Sequence, residues 1–235
     1  MKRLVLSLVA LAAACGTAPA HPSGVAGVFD GTGGLWVDLS WPSDSASVGE
    51  GTRMDAPVRF AEGHLTADRV PLEGLIGPAA VVDVSARADA DYQVSVKDLE
   101  DWESRHGELP NGGILLLRTG WESGNGDPAA YLGTGSTGSA AGSRMHFPGL
   151  DPEAARWLVA QRGILAVGID TPALDRGAST TFDSERVLYA ENMVGFTNVA
   201  NLGLLPEAGS YVVALPLKIE GGSAAPARIV AFIPR

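Results

Sequence analysis

A chain of 235 residues with 46% apolar content and 19% charged residues is long and apolar enough to bury a core of its own, which excludes an intrinsically disordered polypeptide. Its formal net charge of -10, from 27 acidic against 17 basic side chains, speaks against the clustered basic surface that a nucleic-acid partner needs.

The first element stands apart from the folded domain. Lys2 and Arg3 precede an apolar stretch over residues 4–14 that is too short to span a bilayer and suits the hydrophobic core of a secretory signal. Residues 1–20 are therefore expected to be a signal peptide, and the mature chain to be exported. Two cleavage sites are open. Ala18-Pro19-Ala20 offers small residues before His21, giving a secreted protein. Ala12-Ala13-Ala14-Cys15 resembles a lipobox, giving an envelope lipoprotein whose lipidated Cys15 is its only membrane contact. Because Cys15 is the sole cysteine, a disulfide framework is excluded.

Residues 21–33 are rich in Gly, Pro, Ser and Ala and read as a flexible tether, after which residues 34–235 read as one domain. Residues 35–40 alternate as a strand does, while residues 79–84 and 114–118 are short apolar runs typical of buried strands. Ser95 can cap a helix that passes through Leu99 and Trp102 to His106 and stops at Gly107. The loop 133–142 is rich in Gly, Ser, Thr and Ala. It lacks the lysine and the leading strand of a phosphate cradle, so it reads as a surface loop.

Asp151 caps a second helix with Pro152 in its first turn, Ala155, Leu158 and Val159 on its apolar face, and Gly163 at its end. Residues 164–169, 211–217 and 228–233 complete the strands, so the fold class is α/β, with mixed sheets and packed helices. His64, His106 and His146 share no ligand spacing and read as hydrogen-bonding histidines. Ser43, Ser45 and Ser47 lack a G-x-S-x-G elbow, which removes a serine-hydrolase reading.

One segment carries more information than the rest. GTRMDAPVRF at residues 51–60 resembles the H-x-G-T-H-x-D-x-P-x-H signature of the cyclase family, which includes kynurenine formamidases and isatin hydrolases. The resemblance continues in order through PLEGLIGP at 71–78, LLRTGW at 116–121, FPGL at 147–150 and GIDTP at 168–172. It ends with NVANL at 198–202, LP at 205–206 and ALPLKIEGG at 214–222, covering most of the mature chain. It implies a swivelling β/β/α domain and assembly as a homo-oligomer. It also implies hydrolysis of a small amide, formamide or lactone with zinc or manganese, the metal generating hydroxide while a histidine moves protons.

The residues that such chemistry needs are largely replaced. The signature histidines fall on Gly49, Arg53 and Arg59, the third being the family's proton shuttle; Glu185 stands where a ligand histidine is expected and Thr197 where a ligand glutamate is expected. Asp55 alone remains from that set. Arginine stays protonated, so it neither donates a lone pair to a metal nor accepts a proton. No metal is therefore expected, and Arg53 or Arg59 is expected to pair with Asp55 or Glu185 in the former metal pocket.

Were the family chemistry retained, Asp55 would be the catalytic carboxylate, and Asp55 with Glu185 the remaining metal ligands. Trp41 and Trp121 lie near family pocket segments and are candidates to line a small-molecule site. Three functions stay open: a catalytically degenerate member, an active arylformamidase-like or isatin-hydrolase-like enzyme, and an envelope protein that binds a small carboxylate.

Overall fold

Strands that are apolar on both faces need cover on both sides. The structure, a computed structural model, describes residues 25–43, 51–121, 127–135 and 144–235. Its strands are β1 (Gly34–Asp38), β2 (Arg53–Asp55), β3 (Ile76–Asp83), β4 (Gln93–Val94), β5 (Ile114–Arg118), β6 (Gly149–Leu150), β7 (Ala166–Ile169), β8 (Val194–Thr197), β9 (Ala208–Pro216) and β10 (Ala224–Pro234). The helices are α1 (Val25–Asp30), α2 (Val96–His106), α3 (Pro128–Leu132), α4 (Pro152–Gln161) and α5 (Asp183–Ala190).

Eight strands form one mixed sheet in the order β1-β10-β2-β8-β7-β5-β3-β9. Since β10 also pairs with β9, the ladder from β10 through β2 to β9 returns on itself, with β1 attached to β10. The period-two rule then divides each apolar run between two cores. Val81, Ile114 and Leu116 join Leu39, Met54, Phe196 and Val212 on one face. Val82, Leu115 and Leu117 face the other way, onto Leu99 and Trp102 of α2, Leu158 of α4, and Leu188 and Tyr189 of α5. Each such side chain, fully buried, contributes about 1.5–3 kcal/mol.

The helix starts follow local chemistry. Ser95 and Asp98 form a reciprocal capping box at α2, and Asp151 accepts from the Glu153 amide at 2.7 Å to open α4. That helix closes at Gln161 with Arg162 as its extended C-cap, one residue before the glycine expected to end it. The expected tether is partly ordered. Residues 25–30 form α1, and the Trp36 indole N–H donates to the Val28 carbonyl at 2.7 Å, which ties the helix to β1. The proposed signal segment with Cys15, the Gly49 position and residues 136–142 of the Gly/Ser-rich loop lie outside the described residues.

Candidate functional site

The site begins as a register between two short strands. Strand β2 pairs antiparallel with β8, so Arg53 lies opposite Thr197 and Asp55 opposite Gly195. Alternation puts Arg53, Asp55, Thr197 and Gly195 on one face. Helix α5 covers this face, and Gly195 is what lets it approach. A Cβ there would stand 2.3 Å from the Tyr189 hydroxyl and 3.2 Å from Leu174 Cδ1.

Asp55 is fully buried and its Oδ1 accepts from two guanidinium groups. Arg53 Nε lies at 3.2 Å and Arg59 Nη1 at 3.3 Å. The 3-10 turn Pro57–Arg59, opened by Pro57, swings Arg59 back over Asp55 four residues behind it. Arg53 is further anchored by Nη2, which donates to the Pro172 carbonyl at 2.8 Å. Both arginines thus meet the same carboxylate. Neither forms an ion pair with Glu185.

Glu185 sits on α5 with 2% of its surface exposed. Its Oε1 accepts from the Leu174 amide at 3.3 Å. Burial first, and then the nearby charges of Asp55 and Asp175, push its carboxyl up to about 8, while Arg59 acts in the opposite direction. Asp175 is raised as well, chiefly by burial. It serves α5 from a distance, accepting from the Ser184 amide at 3.1 Å and the Glu185 amide at 2.9 Å. A carboxylate at a helix start also matches the positive end of the helix dipole.

Three fully buried groups share this region. Asp55 Oδ2, Thr197 Oγ1 and the Tyr189 hydroxyl each lack a hydrogen-bond partner among the described residues. Aromatic rings close one side: Phe60 stacks on Phe182 at 4.9 Å and on Tyr189 at 6.2 Å. Phe182 holds a left-handed backbone, φ 55°, to present its ring. The guanidinium carbons of Arg59 and Arg186 lie 5.5 and 5.1 Å from the Phe60 centroid.

These donors do not fit a catalytic zinc or manganese. Such an ion needs about three good protein ligands besides its water. Asp55 and Glu185 are the carboxylates, Thr197 is a weak oxygen donor, and two cations already contact Asp55 Oδ1. Among the described residues no three histidine, cysteine, aspartate or glutamate side chains converge on one point.

The other candidates separate from this cluster. Trp41 lines an open groove of about 570 Å³ with Asp38, Ser40, Leu217 and Arg228, which adjoins the pocket of about 310 Å³ lined by Arg53 and Arg59 through the shared residues Ser43 and Pro226. Trp121 lines neither; its indole N–H donates to the Tyr131 carbonyl at 2.7 Å. His64, His106 and His146 pair with Asn192, Glu207 and Asp91. Asp170 is fully buried and accepts from the amides of Thr119 and Gly120 at 2.9 and 2.8 Å, joining the ends of β5 and β7.

Tyr189, Asp175 and Gly195 belong to the site without having been singled out in the sequence. The signal at Gly195 was a glycine two residues before the Thr197 position. Asp175 gave none, because it caps α5 from eight residues before the helix begins.

Similarity to known proteins follows the same geometry. The family model named Cyclase matches residues 32–176. The isatin hydrolase of Roseibium aggregatum is 32% identical over 195 residues, covering 79% of this chain and 72% of that protein. The kynurenine formamidase of Salinibacter ruber is 28% identical over 181 residues, covering 77% and 74%. The solved structure of isatin hydrolase A from Ralstonia solanacearum superposes with a TM-score of 0.76 at 30% identity, over 88% of this chain and 95% of that one.

Proposed function

The chain belongs to the cyclase family, whose homologues are metal-dependent hydrolases, and from that premise we propose that this member is an exported pseudoenzyme that keeps the fold for binding. The observation that carries the reading is the pair of guanidinium groups on Asp55 Oδ1, 3.2 and 3.3 Å away, at positions where the family signature has histidines. Hydrolysis of an amide or lactone needs a polarised carbonyl, a deprotonated water and a group that takes up and returns a proton. Arg53 and Arg59 are cations at every physiological pH and do none of the proton transfer. Asp55 is engaged by them, and Glu185 is buried with no ion-pair partner among the described residues. The export part of the reading rests on the composition of residues 1–20.

The test is turnover of N-formylkynurenine and of isatin by the purified chain with zinc or manganese added. The expected result is no rate above the metal-only control. Turnover at an ordinary enzymatic rate, abolished by Asp55→Asn, would overturn the proposal.

A further inference from the structure

Strands β9 and β10 are apolar on both faces. Val212, Ala214, Ile229 and Ala231 point into the core, and the period of two sends the residues between them outward. There the register sets Trp36, Phe232, Tyr211 and Pro78 in one row across β1, β10, β9 and β3. Val230, Val213 and Ile76 form the next row. Elsewhere helices cover the outward face: α2, α4 and α5 lie over Val82, Leu115, Leu117 and Ile169 of β3, β5 and β7. Helix α1 meets the bare part at the Trp36 corner, where the indole N–H donates to the Val28 carbonyl. Tyr211 stays 53% exposed and Ile76 44%. An antiparallel sheet with one solvated face ordinarily shows polar side chains on it, so an apolar outward face calls for a cover.

We infer that this face docks a second copy of the chain, the same patch meeting itself across a twofold axis. Four strands at about 4.8 Å spacing, with about five residues of each at about 3.3 Å, give the patch roughly 300 Å² in plan. That suits the apolar centre of a standard interface of about 800 Å² per partner, with a polar rim making up the rest. Trp, Tyr and Phe are the side chains enriched at such centres, and charge is depleted there. The charged side chains that these strands point outward are Asp38 and Arg228, an ion pair at 2.7 Å, so a self-contact brings no excess of either sign from them. A bilayer surface is the poorer fit, because a membrane-binding face is rich in Lys and Arg, and the outward cation of these strands is tied to Asp38. The family resemblance implies a homo-oligomer without a surface for it; the surface comes from the strand register. No residue of the arginine cluster takes part, so the inference does not rest on the pseudoenzyme reading.

Sedimentation equilibrium of the full chain, carrying Cys15→Ser so that no lipid drives association, tests it. A concentration-dependent dimer is expected. Tyr211→Lys and Ile76→Lys, both at exposed side chains, are each expected to raise its dissociation constant at least about tenfold with an unchanged circular dichroism spectrum, since each sets a charge in an apolar interface centre. Leu204→Lys, at a 65% exposed leucine in the 3-10 turn Leu202–Leu204 outside these strands, is expected to leave the dimer as it is. A monomer at every concentration, a dimer indifferent to both face variants, or one weakened equally by Leu204→Lys would each overturn the inference. So would flotation of the full chain with phosphatidylcholine vesicles that Tyr211→Lys abolishes, which would make the face a membrane contact. A chain that dimerises only once residues 1–24 are removed would overturn it as well, giving the face to that segment.

Discussion

Asp55→Ala is expected to lower the unfolding free energy by about 3 kcal/mol at pH 7, the low end for removing one partner of a buried ion pair. The reason is not the worth of the pair itself. Asp55 is fully buried and is the anion that two cations share, so its removal takes the carboxylate at 3.2 Å from Arg53, whose side chain is 18% exposed, and from Arg59 the one carboxylate it meets among the described residues. Arg59, being more exposed, regains water more easily, which keeps the expected loss toward the lower figure. Removing the cations together with the anion is a different experiment. In Arg53→Met/Asp55→Ala/Arg59→Met no charge is stranded, and at least half of the single variant's loss is expected to return. Urea unfolding of the three proteins decides the matter. A triple variant as unstable as the single one would mean that Asp55 is held by packing and not by the arginines.

Glu185→Gln is expected to change how stability depends on pH, by several kcal/mol at the alkaline end. The folded carboxyl is pushed up to about 8 from an ordinary value of 4.5. Between those values the unfolded chain releases a proton that the folded chain keeps. Stability therefore falls as pH rises from about 4.5 to 8, by at most about 1.4 kcal/mol per pH unit, and stays lowered above 8. Below 4.5 both states are protonated and nothing is lost. The groups that act on Glu185 are Asp55 from β2, Asp175 from the loop before α5, Arg59 from the 3-10 turn, and the Leu174 amide. Glutamine keeps the acceptor for Leu174 and cannot ionise, so the variant should gain on the natural chain steadily from pH 5 to 8. Asp175, raised in the same direction, leaves the variant some residual slope at the acid side. Tyr189 is raised well above its usual value by burial and does not titrate in this window. Parallel stability curves for the two proteins from pH 5 to 9 would show that Glu185 is ionised in the fold.

The sequence announced the elements whose chemistry is local. Residues 114–118 carry four apolar side chains between turn residues, and the strand has those bounds. Ser95 is followed three residues later by a carboxylate, and α2 begins there. What escaped is what depends on distant partners. Strand β2 spans three residues and exists because β8 and β10 bracket it. Helix α5 starts from Phe182, a residue with no capping side chain, and its first amides are satisfied by Asp175 across a loop.

The site divides along the same line. Asp55, Arg53 and Arg59 were identified by their places in the family signature, Glu185 and Thr197 by the family's ligand positions farther along the chain, and the expected pairing of an arginine with a carboxylate is present in the structure. The choice of carboxylate was not legible. Asp55 takes both arginines because β2 and the turn after it carry all three residues within seven positions, whereas Glu185 arrives from α5 with its carboxylate on the Leu174 amide. Of the two tryptophans taken as pocket candidates, Trp41 lines the open groove and Trp121 packs toward Tyr131. Proximity in a motif does not fix which way a ring points.

Under the proposed function, guanidinium groups take the place of a divalent ion. Elemental analysis of the full chain, purified without chelators and dialysed after incubation with zinc and manganese, tests it most directly. Far less than one metal per chain is expected, unchanged by Asp55→Asn, as the proposed function requires. About one tightly held ion per chain, lost in that variant, would contradict it.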